Sequence, residues 1–308
     1  MLALVASPTE PERIALREVS ESSPGRSEAV LEVRAISVNR GEVNRLATAV
    51  DGWRPGWDVA GVVTAAAADG SGPPVGSRAV GLSSFGGWCE RLVIPASQLA
   101  VIPDQVSFSA AAALPVAGLT ALRTLRFGGL LLDRRVLVTG GSGGVGRFAI
   151  QLGKAAGALV TAVVGRPERG EGLQRLGAEQ VVVGIENAED RYHLVLEAAG
   201  GSSLAIALGK IEPGGSVVTF GNSSKEPTTF LTNDFYFQEG SLHGFFLLGS
   251  AVADPVSRDL GILLAQVAAG RLDPQVSLEV PWTAAAQALR ELRERRLAGK
   301  AVLLLPGS

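Results

Sequence analysis

The stretch VLVTGGSGGVGRFAIQLGKAAG, Val136 to Gly157, sets a cluster of glycines between a run of β-formers and an amphipathic helical pattern. Within it, Gly141, Ser142, Gly143, Gly144, Val145 and Gly146 spell G-x-G-x-x-G. Glycines at these spacings permit a tight strand-to-helix turn, let backbone approach a pyrophosphate and bring the helix close to its strand. The first amides of the helix then face an anion. No Gly-Lys-Ser/Thr follows, so the pattern is not a P-loop. It predicts a dinucleotide turn, provided that further parallel strands surround it.

They do in the sequence. The runs RVLVTG, ALVTAVVG, EQVVVG, HLVLEAAG, GSVVTFG and SLHGFFLL each read as apolar on both faces, and most are joined by ten to twenty residues of helical character. Strands apolar on both faces with such connections predict a doubly wound parallel sheet covered by helices. Before about residue 110, short strand-like segments such as EAVLEVRAISV and DVAGVVTAAAA alternate with Gly, Pro and Ser clusters, which predicts a β-rich lobe. After residue 250 come two helical segments and a last strand, KAVLLL, expected to return to that lobe. The predicted division is residues 1–113 with 251–308, and residues 114–250.

At 308 residues the chain exceeds the usual size of one core, which agrees with two domains. Its net charge is −2 and no basic block occurs, so nucleic acid and anionic membrane are poor partners and small molecules better ones. No apolar run approaches the roughly 20 residues of a membrane span, and the start MLALVASPTEPERIAL lacks a basic leader. The single cysteine, Cys89, can form neither an internal disulfide nor a multi-cysteine zinc site. A cytoplasmic location is expected.

Dinucleotide choice is read at the tip of the second strand, where a carboxylate would hold the ribose diol of NAD. The residues there are Gly165, Arg166, Pro167, Glu168 and Arg169, with no acid at the tip itself. Arg166 and Arg169 suit a 2′-phosphate, because guanidinium donors form a rigid fork. NADPH is the expected cofactor; the alternative leaves both arginines as solvated loop charges with Glu168 on the ribose.

Several separated motifs together carry a family resemblance. SVNRGEVNRL, RPGWDVAGVV, FGGWCERLVIP, ALPVAGLTALRTL, RLGAEQVV, LEAAGG and LAGKAVL occur in an order and spacing that resemble the medium-chain dehydrogenase/reductase superfamily, zinc-independent quinone oxidoreductase (zeta-crystallin-like) type. The Asp, Gly and Pro positions of these motifs, taken one by one, read as turn chemistry. The resemblance covers nearly the whole chain and implies a Rossmann sheet inserted in a GroES-like catalytic domain. It also implies cofactor contacts at Thr120, Ala198, Ala199, Phe220, Gly221, Asn222, Phe245 and Phe246, the phenylalanines being equally readable as core or subunit contacts. A homodimer is implied as well, with the sixth strand, SLHGFFLL, at the edge of the sheet and available to pair across a twofold axis.

By the same resemblance, the positions that hold catalytic zinc in metal-dependent relatives carry Asn39, Trp57 and Val116 here. An amide, an indole and an isopropyl group do not replace thiolate and imidazole ligands. His193 and His243 lie in or beside predicted strands and read as structural, so no metal is expected. Hydride removal from an alcohol is difficult without a Lewis acid, whereas hydride addition to an electron-poor C=C needs less help. The resemblance therefore implies NADPH-dependent reduction of a quinone or an α,β-unsaturated carbonyl, with Asn39 as first and Arg40 as second candidate polar donor, Asn39 being equally readable as a turn residue. Two departures stand out. Asn44 replaces a tyrosine common in quinone reductases, and Gly184 replaces an aromatic or basic residue near the 2′-phosphate. Trp53, Trp57 and Phe85 could wall a substrate pocket or pack the β lobe. The other readings are an enoyl reductase for thioester-linked acyl chains and a non-catalytic NADPH-binding or sensor protein.

Overall fold

The computed structural model describes residues 1–307, and these divide into two compact units, Met1–Leu119 with Ala251–Ser308, and Thr120–Ser250. The first boundary lies inside a helix, at 119/120 instead of 113/114. Among the described residues, no helix is long and apolar enough to cross a membrane.

The first unit opens with the antiparallel pair β1 (Leu2–Ala6) and β2 (Ile14–Glu18). The long β3 (Glu28–Val38) follows, then α1 (Arg40–Leu46), β4 (Asp58–Ala65), β5 (Arg78–Leu82), β6 (Arg91–Pro95), β7 (Leu99–Val101), α2 (Phe108–Ala112) and α3 (Pro115–Leu125). Along β3 the side chains of Ala29, Leu31, Val33 and Ala35 are buried at alternate positions, the period of a strand with one core face. Ala29, Leu31 and Val33 join a core with Val59, Trp88 and Ile94.

The second unit contains β8 (Arg135–Val138), α4 (Gly144–Ala155), β9 (Leu159–Val164), β10 (Gln180–Val183), β11 (Tyr192–Glu197), α5 (Gly201–Gly209), β12 (Ile211–Thr219), α6 (Thr232–Tyr236) and β13 (Ser241–Gly244). Its six strands run in the order β10-β9-β8-β11-β12-β13, all pairs parallel. The chain thus winds outward from β8 to one edge, returns across the sheet to β11 and winds to the other. β8 and β11 form the switch point, beyond whose carboxyl ends ligands bind in such sheets.

Two expectations are corrected. The β9–β10 and β10–β11 connections carry only 3-10 turns, at Pro167–Gly170 and Ile185–Asn187, not α-helices. Gly170, Gly172 and Gly177 interrupt the first of them, each costing about 1 kcal/mol relative to alanine in a helix. β13 ends the sheet, the edge position that the resemblance implies for the sixth strand, but it is not buried on both faces: Ser241, Leu242 and Gly244 are exposed.

The chain continues through α7 (Leu247–Ala253), α8 (Ser257–Ala268), β14 (Val276–Pro281), α9 (Ala285–Arg293) and β15 (Lys300–Leu304). β15 pairs antiparallel with β3, Ala301 opposite Val38, which completes the seven-stranded sheet of the first unit and sets Lys300 beside the end of β3.

Candidate functional site

The glycine turn links β8 to α4 as the sequence implies, but its demands are unequally shared. Gly140, one residue before the motif, has a φ of +63°, in the left-handed region that favours glycine. At Gly146 a Cβ would lie 2.5 Å from the Gly140 carbonyl oxygen and 2.6 Å from Gly141 Cα, so backbone itself excludes any side chain. The Gly141 amide donates to Val163 O at 2.9 Å and pins the turn to β9. The first i→i−4 bond of α4 is Arg147 N to Gly143 O at 2.9 Å, which leaves the amides of Gly144, Val145 and Gly146 as the free first-turn donors of a twelve-residue helix.

Two guanidiniums converge on Ser142. Arg169 Nε donates to Ser142 Oγ at 2.9 Å, and the buried Arg147 donates through Nε to Ser142 O at 3.3 Å and through a terminal nitrogen to Glu171 O at 3.4 Å. Arg147 was not singled out in the sequence because a basic residue on a helix reads as solvated. Arg166 is exposed at the tip after β9, and the space around Gly165 is open. A glycine turn and the N-terminus of a twelve-residue helix at the switch point fit the pyrophosphate of a nicotinamide dinucleotide.

The loops beyond β11 and β12 meet one another. The amides of Ser223 and Ser224 donate to Ala198 O and Ala199 O at 3.2 and 2.8 Å, and Phe220 N donates to Glu197 O at 3.0 Å. Gly221 and Asn222 are exposed at this rim. After β13, Phe245 N donates to Thr219 O at 2.8 Å and its ring meets Phe127 edge-on at 6.4 Å, while Phe246 is exposed. Thr120 is buried in α3, where its carbonyl accepts from Thr124 Oγ1 at 2.7 Å.

In the first unit, Asn39 caps α1 from an extended backbone, and Arg40 is the first residue of that helix. Glu42 reaches back so that its Oε2 accepts from Asn39 N at 2.8 Å and Nδ2 at 3.2 Å, while its Oε1 accepts from Trp57 N at 2.8 Å. Asn39 Nδ2 also donates to Asp58 Oδ2 at 2.9 Å, and Asn39 Oδ1 accepts from Lys300 Nζ at 2.6 Å. Asp58 Oδ1 accepts from Val116 N at 2.8 Å, and Lys300 Nζ lies 3.3 Å from Asp58 Oδ2. The amide hydrogens of Asn39 are therefore spent inside a buried network, and the expected open donor becomes an internal link.

Asp58 opens β4, where the sequence places a strand, and it is wholly buried there. Asp58, Glu42 and Lys300 do not declare themselves as a set in the sequence, where Lys300 stands 242 residues from Asp58. The available signals were an N-x-x-E capping pattern and single charges abutting apolar strands. Burial and the neighbouring Asp58 push the Glu42 carboxyl up to about 8, against the backbone donors that favour its ionised form. Burial also raises Asp58, opposed chiefly by the Lys300 ammonium.

Asn39, Trp57 and Val116, the three positions compared with zinc ligands, thus all contribute to this network. Among the described residues, no group of three or more His, Cys, Asp or Glu side chains is placed to hold a metal. His193 lies in β11 between Glu212, 3.0 Å from its Nδ1, and Gly128 O, 2.8 Å from its Nε2, and His243 packs on Phe127 at 4.8 Å. Burial pushes the Cys89 thiol up to about 11, so it is a packing residue and a poor nucleophile. Asn44 is exposed on α1, Phe85 is exposed, and Trp53 packs against the core of the first unit.

Known proteins share this organisation. The zinc-binding dehydrogenase family profile matches residues 144–260. The synaptic vesicle membrane protein VAT-1 homolog of Rattus norvegicus is 29% identical over an alignment covering 92% of this chain and 78% of that protein. The phthioceranic/hydroxyphthioceranic acid synthase of Mycobacterium tuberculosis is 31% identical over 98% of this chain, which spans 15% of the synthase. The Escherichia coli quinone oxidoreductase, solved in complex with NADPH, matches 99% of this chain and 100% of its own with a TM-score of 0.84 at 23% identity. Fold, motif order and these similarities agree with the resemblance to the medium-chain dehydrogenase/reductase superfamily read in the sequence, the matched zinc-binding dehydrogenase profile lying over residues 144–260.

Proposed function

We propose that this chain is an NADPH-dependent oxidoreductase that reduces a conjugated carbonyl acceptor, a quinone or an enone, without a metal ion. The observation that carries the reading is the Arg169 guanidinium set on Ser142 of the glycine turn at 2.9 Å, with no carboxylate at the β9 tip. Bound in that crevice, reduced nicotinamide would supply the hydride. The chain's own part is to bind and orient: the first-turn amides of α4 face the pyrophosphate, Arg166 and Arg169 the 2′-phosphate, and Thr120 and the rims at 198–199, 220–222 and 245–246 the remainder. Asn39 serves as a positioning residue through the Asp58–Lys300 network, and Arg40 is the candidate polar donor beside it.

A second reading, reduction of thioester-linked acyl chains, draws on the alignment of nearly the whole chain with one stretch of an acid synthase. Following NADPH oxidation with 1,4-quinones, alkenals and crotonyl thioesters tests both. Turnover confined to thioesters selects the second, and tight NADPH binding with no turnover of any acceptor refutes both in favour of a non-catalytic dinucleotide-binding protein. We infer a homodimer joined through β13, the end strand of its sheet with Leu242 exposed, since an open strand edge is a ready template for pairing. Sedimentation showing a monomer at micromolar concentration would refute it.

A further inference from the structure

Glu197, the last residue of β11, has no part in the proposed phosphate binding or acceptor reduction, yet its carboxylate is wholly buried at the switch point. Its Oε1 accepts from Ala199 N at 2.9 Å, Ser203 Oγ at 2.9 Å and Thr139 Oγ1 at 3.3 Å, and its Oε2 accepts from Gly200 N at 3.0 Å. Thr139, which follows β8, in turn accepts from Ala198 N at 2.8 Å. Three consecutive amides, 198 to 200, are thereby drawn inward, onto one carboxylate and one hydroxyl that together bridge the two central strands.

The consequence runs outward along the backbone. With their amides turned in, Ala198 and Ala199 present their carbonyls to the amides of Ser223 and Ser224, so the loops after β11 and β12 form one wall. A buried carboxylate is costly to desolvate, and here that cost is offset by two amides and two hydroxyls. A glutamine could accept at one oxygen only, and its NH2 would face a backbone donor.

We propose that Glu197 is the positioning residue for the nicotinamide half of the cofactor: by fixing the amides of 198–200 it sets the crevice wall against which that ring lies. This rests on the dinucleotide reading, and the test separates the two. Dissociation constants are measured for NADPH and for 2′,5′-adenosine diphosphate, which carries the 2′-phosphate but no nicotinamide, on the wild type, Glu197→Gln, Glu197→Asp and Thr139→Val.

Losing hydrogen bonds to an ionised group predicts about tenfold weaker NADPH binding for Glu197→Gln, with the adenosine probe changed less than about twofold. Thr139→Val, which keeps the carboxylate, should move the ratio of the two constants in the same direction by a smaller factor, and Glu197→Asp should restore part of it. A merely structural role would shift both ligands alike or leave both unchanged. Either result, in Glu197→Gln or, should that variant fail to fold, in Thr139→Val, overturns the proposal. A wild type that binds neither ligand overturns the dinucleotide reading itself.

Discussion

Replacing Lys300 with methionine tests the buried network most severely. The ammonium is 3% exposed and Asp58 is 0% exposed, so no water replaces the lost partner. Lys300 Nζ lies 2.6 Å from Asn39 Oδ1, 3.3 Å from Asp58 Oδ2 and 3.4 Å from Val38 O, and its removal leaves the buried Asp58 with no cation in the network. Removing one partner of a buried pair costs about 3–5 kcal/mol. The lower end is expected at neutral pH, because Asp58 retains its bonds from Val116 N and Asn39 Nδ2.

Adding Asp58→Asn to Lys300→Met should recover about half of that loss, since it removes the uncompensated buried charge and keeps an acceptor for Val116 N, the remainder staying lost because its NH2 faces the Asn39 Nδ2 donor. All four tryptophans, Trp53, Trp57, Trp88 and Trp282, lie in the first unit, so urea titration followed by their fluorescence reports that unit alone. A loss below about 1 kcal/mol, the range of exposed pairs, would refute the reasoning. So would a double variant no more stable than the single one.

Other expectations follow from the same geometry. Arg166→Ala with Arg169→Ala should raise the NADPH dissociation constant at least about tenfold while sparing NADH, and equal effects on both would remove the 2′-phosphate assignment. Gly146→Ala must displace backbone at Gly140 and Gly141, so about 1–3 kcal/mol of lost stability in the second unit, with weakened NADPH binding, is expected by hydrogen exchange and titration. Because the folded state raises Glu42 from 4.5 to about 8, it binds more protons than the unfolded chain between those values. The stability Glu42 contributes is thus full below about pH 4.5 and is lost as pH rises toward 8, so the gap between wild type and Glu42→Gln in urea titrations should drift against the wild type over that window. A gap that stays flat or drifts the other way would contradict the raised carboxyl.

Local signals carried much of the molecule. The strand, glycine turn and helix at 136–157, the six parallel strands and the returning C-terminal strand are written in adjacent residues, because apolar periodicity and turn chemistry act over a few positions. The same signals misled at the β9–β10 connection, where glycines outweigh helical spacing, and at β13, whose apolar composition suggests burial on both faces although the resemblance already sets the strand at the sheet edge. They also marked Arg166 and Arg169 correctly as neighbours of one strand tip, yet gave no hint that Arg147 turns back onto Ser142.

What tertiary structure alone decided is the pairing of buried charge. Lys300 and Asp58 stand 242 residues apart, and each in its own segment is an ordinary polar residue beside an apolar strand. Only the antiparallel docking of β15 on β3 brings the ammonium to Asn39, and only the β8–β11 crossover brings Thr139 to Glu197. A hydrophobic stripe declares itself through its own spacing. A buried charge acquires its meaning from the partner that folding delivers, because its desolvation must be offset by groups that the local sequence does not contain.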